Sequence, residues 1–136
     1  MSLNWPQPGL GSVPEYQVSS QPFVTSSLEV PASGSLVKRV SFPCVTRFVV
    51  ITNTLDGGAP NIPMRVGFSA NGVKGTTDTN YFILNNGESF EAEFRVVDVF
   101  LMSDTALACS GSVVAGLTGI RADRLTGLWS GSLGVG

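Results

Sequence analysis

The chain has 136 residues, no histidine, 13% charged side chains and a formal net charge of −2. That length fits one domain, able to bury roughly two-thirds of its unfolded surface without covalent staples. The side chain best suited to proton transfer near neutral pH is missing, and eight scattered cations make no basic stripe for nucleic acid. Composition therefore points to a structural or binding module rather than a catalyst.

Residues 1–14 hold Pro6, Pro8 and Pro14 with Gly9 and Gly11, which disfavours a helix or a central strand. The same stretch carries Leu3, Trp5 and Leu10. It reads as an extended arm, residues 1–14, that packs on its own domain or on a neighbour, ahead of a β-domain at 15–136. Residues 1–10 have neither the basic nor the apolar segment of a secretory signal, and no apolar run approaches the roughly 20 residues of a membrane helix. A soluble protein made in a reducing compartment is expected, with no direct membrane span.

From Tyr16 onward, short β-branched and aromatic runs alternate with turn clusters. Strands are expected at 21–30, 36–42 and 45–53, the last carrying the strongest β signal, VTRFVVITN. A loop with Asp56-Gly57-Gly58 and two prolines fills 55–63. A strand at 64–70 runs into Asn71-Gly72, a hairpin-turn dipeptide. A short strand at 80–84 precedes the turn Asn85-Asn86-Gly87. Residues 89–102 alternate at first, but their register later puts Asp98 on the apolar face. A bulge or change of face near Val97-Asp98 would resolve that conflict. A loop at 103–109 leads to a last strand at 110–120, and the tail from Leu125 is rich in glycine and serine around Trp129.

About eight strands at this spacing predict an all-β fold, an antiparallel sandwich or barrel. Eight strands with some long connections suit a single jelly roll with an extended N-terminal arm. An immunoglobulin-like sandwich fits the same pattern.

Few residues offer chemistry. Glu91 and Glu93 share a face as a glycosidase pair would, yet they read as the solvated side opposite Phe90, Ala92 and Phe94. Asp98, among apolar neighbours, is expected to form a buried ion pair with Arg47, Arg65 or Arg95. Cys44 and Cys109 read as buried free thiols. No C-x-x-C occurs, and residues 76–80 would make a weak calcium site at best. Residues 67–75 (GFSANGVKG) lack the spacing of a phosphate-binding loop. Trp5, Tyr16, Tyr81 and Trp129 are candidates for a sugar-stacking platform. No catalytic, cofactor or metal residues are assigned, and no cofactor is expected.

Six phrases taken in order carry a likeness: PEYQVSSQPFVTSS (14–27), FPCVTRFVVITNT (42–54), MRVGFSANGVKG (64–75), NYFIL (80–84), FRVVDVFLMSD (94–104) and SVVAGLTGI (112–120). Together they resemble the small single-jelly-roll capsid proteins of nucleocytoplasmic large DNA viruses, of the penton or vertex type. The resemblance implies a non-enzymatic virion protein, assembled in the host cytoplasm. It would form homopentamers at the fivefold vertices and contact major and minor capsid proteins. Leu3, Trp5, Leu10 and Trp129 would then be interface residues. A minor or cement capsid protein and a carbohydrate-binding sandwich are the alternatives.

Overall fold

A computed structural model describes residues 7–34, 36–55, 60–76 and 79–125. Among them a short helix, α1 (Pro14–Gln17), precedes β1 (Gln21–Val30), β2 (Lys38–Ser41), β3 (Cys44–Asn53) and β4 (Met64–Gly67). Helix α2 (Ala70–Lys74) follows, then β5 (Tyr81–Leu84), β6 (Ser89–Ala92), β7 (Asp98–Ser103), β8 (Cys109–Arg121) and a 3₁₀ turn at Ala122–Arg124.

The strands form two antiparallel sheets in the orders β1-β8-β3-β6 and β2-β7-β4-β5. The pairs β1–β8, β2–β7, β3–β6 and β4–β5 are those of one long hairpin, closed at β4–β5 and rolled up so that its pairs alternate between sheets. This is the single jelly roll, an all-β sandwich. Each sheet turns one face inward, where Val49, Ile51, Met64, Val66, Leu101 and Val113 are fully buried. Each such side chain contributes about 1.5–3 kcal/mol relative to leaving it exposed.

The run expected at 89–102 splits between the two sheets. β6 ends at Ala92, and β7 begins at Asp98 in the other sheet. The conflict of register is thus resolved by a crossing rather than by a bulge within one strand. Buried Thr46 pins the crossing: its hydroxyl donates to Phe94 O and accepts from Val96 N, the latter at 3.0 Å. A bulge does occur in β1, where the register slips between Thr25 and Leu28 and Ser27 takes φ 54°. It changes which side chains face the core, from Phe23 before it to Leu28 and Val30 after it.

The hairpin turn expected at Asn71-Gly72 is instead helix α2. Ser69 caps it by accepting from Gly72 N at 3.0 Å, and Gly75 ends it in the left-handed region at φ 67°. The turn at 85–87 is present, with Gly87 at φ 78°. Buried Asn53 ties the end of β3 to the opposite sheet, donating from Nδ2 to Ile62 O and Leu84 O at 3.0 Å each.

Candidate interaction surfaces

The outer face of the β2-β7-β4-β5 sheet is finished by contacts within the chain. Only glycine fits at position 67, because a Cβ there would overlap Val73 Cγ2 and sit 2.9 Å from Asn80 O. Val73 is therefore able to press α2 onto the sheet. Arg65, two residues before Gly67 on the same outer face, joins the pieces. Its Nε donates to Asp104 Oδ1 at 2.7 Å, and its Nη1 donates to Val73 O at 3.2 Å and Lys74 O at 3.1 Å. Its guanidinium lies 4.5 Å from the centre of the Tyr81 ring. A planar cation with several donors suits this set of carboxylate, helix-end carbonyls and aromatic face.

Asp98 does not pair with Arg47, Arg65 or Arg95. It opens β7, whose neighbour at this end is β2, so its partners are Arg39 and Ser41. Arg39 Nε and Nη2 donate to its two oxygens at 3.0 and 3.1 Å, and Ser41 Oγ donates at 2.8 Å. The pair is not buried either, since the Arg39 side chain is 61% exposed. Arg65 serves Asp104, Arg47 donates to Val18 O at 2.9 Å, and Arg95 lies 5.7 Å from the Tyr16 ring centre.

The outer face of the β1-β8-β3-β6 sheet is different. Register aligns Val24, Val114 and Val50 in one row, ending at Glu91. The adjacent row holds Pro22, Gly116 and Phe48. A Cβ on Gly116 would overlap the Phe48 ring and Ser20 Oγ, so Phe48 lies flat across bare backbone. Beyond them Ser112, Thr52 and Ser89 form a hydroxyl fringe, with Thr52 Oγ1 and Ser89 Oγ 2.8 Å apart. Val24 is 66% exposed. Among the described residues, no ion pair crosses this face.

The N-terminal segment turns back on its own domain. The expected arm is not extended where it is described. Backbone hydrogen bonds coil residues 9–16, and Pro14 occupies the first turn of α1, where its missing N–H costs no hydrogen bond. Glu15 Oε2 accepts from Gly119 N at 2.7 Å, beyond the point where β1 covers β8. Tyr16 OH donates to the carbonyl of half-buried Leu10 at 3.1 Å. No residue from 7 to 20 is buried. Leu3, Trp5 and Trp129 lie outside the described residues.

Both thiols are free, but only Cys109 is buried; Cys44 is half-exposed at the start of β3. Burial pushes the Cys109 thiol up to about 11, a hydrogen bond with Ser103 opposing part of the rise. Glu91 and Glu93 are exposed. Of the four aromatics considered for sugar stacking, Tyr81 has Arg65 over its ring, and Tyr16 is half-buried beside Arg95. Thr77 and Asp78 lie outside the described residues, and no group of three His, Cys, Asp or Glu that could hold a metal occurs among those described. No described helix is long and apolar enough to cross a membrane.

The sequence reading missed Val24, Phe48, Val50 and Val114 as surface residues, and Arg39 and Asp104 as ion-pair partners. Phe48-Val49-Val50-Ile51 and Val113-Val114-Ala115 are apolar at both alternations, the pattern of strands covered on both faces. That signal was available for the bare face. Strand order and surface character define this chain as a single jelly-roll sandwich with one finished and one bare outer face. No protein-family model matches it, and no curated protein does.

Proposed function

We propose that this chain is a capsid structural protein of a large icosahedral DNA virus, a penton protein forming pentamers at the fivefold vertices. The observation that carries the reading is the strand order β1-β8-β3-β6 against β2-β7-β4-β5. Jelly rolls of this kind recur in viral capsid and lectin domains. The choice of capsid rests on the six ordered phrases, because a fold by itself hosts many functions. The apolar outer face of β1-β8-β3-β6, where Val24 is exposed and Phe48, Val50 and Val114 are half-buried, supports it further as a surface suited to subunit contact. The partners are further copies of this chain and the major and minor capsid proteins, and its place is the virion.

Native mass spectrometry of the purified chain, with a protein inventory of purified particles, tests the reading. A pentamer that is also a virion component is the expected result. A strict monomer absent from particles overturns it. Deleting residues 2–13 should leave cooperative unfolding intact and weaken assembly, because no described residue of that segment is buried.

A further inference from the structure

We infer that the ring is built by stacking opposite faces: the bare outer face of β1-β8-β3-β6 in one copy packs on the outer face of β2-β7-β4-β5 in the next. This rests on the oligomeric reading above and names the surfaces that make the contact.

Area allows it. Strands about 4.8 Å apart and residues about 3.4 Å along them make a four-stranded face roughly 500 Å² in projection. Corrugated by side chains, it approaches the roughly 800 Å² that each partner buries in a standard interface. Val24, Val50, Val114, Phe48 and Pro22 supply an apolar centre, and the serine and threonine fringe supplies a polar rim.

Charge decides which surface covers it. Glu29 on β1 and Glu91 on β6 are exposed near opposite edges of the bare face, and neither has a partner among the described residues. Two bare faces meeting about a two-fold axis would bring these carboxylates into one interface, where like charges repel. The opposite side of the sandwich carries the complementary sign. Lys74, at the end of α2, is exposed, and its side chain has no partner among the described residues. Arg39 keeps most of its side chain in solvent despite Asp98, and Phe100 and Ile83 on the same face offer apolar contact. A contact between two different patches is heterologous, the kind that builds a cyclic ring when the rotation between successive copies closes.

The test is charge exchange on the full chain, read by native mass spectrometry. Glu29→Lys with Glu91→Lys should shift the oligomer to monomer at concentrations where the wild type is assembled. Lys74→Glu should do the same to a smaller degree. The variant carrying all three changes should recover assembly, and Val24→Asp should weaken it at least tenfold without rescue. A circular dichroism spectrum unchanged in every variant confirms that the fold is kept. An oligomeric wild type whose mass none of these changes alters overturns this contact and leaves the oligomeric reading standing. A wild type that is monomeric at all concentrations overturns both.

Discussion

The two outer faces of this sandwich are made from sheets of equal strand number, yet they end in different states. On one, Arg65 gathers Asp104, the carbonyl end of α2 and the Tyr81 ring, while Arg39 grips Asp98 above Phe100. On the other, exposed Val24 and half-buried Phe48, Val50 and Val114 face outward. Arg39, Asp98, Arg65 and Asp104 on the first face find their partners inside the chain. Apolar groups on the second are only partly covered there, so part of the free energy of burying them is left for association. A face completed internally resists change through stability; a face left bare resists it through assembly.

Breaking the finished face should cost most in stability. Arg65→Ala strands the Asp104 carboxylate and the helix-end carbonyls and is expected to destabilise by about 2–3 kcal/mol in urea unfolding. Arg65→Lys should recover only a minor part of that, because one ammonium cannot span the same acceptors. Gly67→Ala forces Val73 and α2 off the sheet and should cost about 1–3 kcal/mol. Its counterpart on the bare face, Gly116→Ala, should cost less, because the Phe48 ring it displaces can swing toward solvent. Equal losses at the two glycines would show that the bare face is as tightly held as the finished one.

Smaller effects sharpen the contrast. Arg39→Ala removes an exposed pair and should cost under about 1 kcal/mol, fading as salt is raised. Val24→Ser should leave the unfolding free energy of the isolated subunit within about 0.5 kcal/mol while loosening the oligomer. The Cys109 thiol gives a pH signature of the core between the faces. Its folded value lies near 11, above its ordinary value of 9.0, so the folded state holds the proton more tightly. The resulting stability is fully present below about pH 9 and is lost as pH rises toward 11. Alkaline titration of the melting temperature should show that decline, reduced in Cys109→Ala.

The strands themselves were legible. Runs such as VTRFVVITN and SVVAG carry β-branched residues between turn dipeptides, and local chain stiffness is enough to place them. The clash of register at Asp98 was legible too, though not its resolution. Helix α2 was misread because Asn71-Gly72 is a strong hairpin signal, while Ser69 and Gly75, which cap the helix, give weaker and longer-spaced signals. The partner of Asp98 was out of reach: Arg39 meets it only because β2 lies beside β7, 59 residues away along the chain. The coiled course of residues 9–17 was hidden because prolines argue against helix interiors but not against a first turn.

What the sequence determined by itself was a β-sandwich with little chemistry to offer. Hydrophobic alternation, turn residues and the lack of histidine are local facts that need no knowledge of neighbours. What only the tertiary structure decided was how the two sides of that sandwich differ. Whether Val24 is buried or bare, and whether Arg65 meets one acceptor or several, depends on strand order and on where α2 lands. Those are set by long-range pairing and by the space that Gly67 and Gly116 leave above the backbone, which no window of sequence contains.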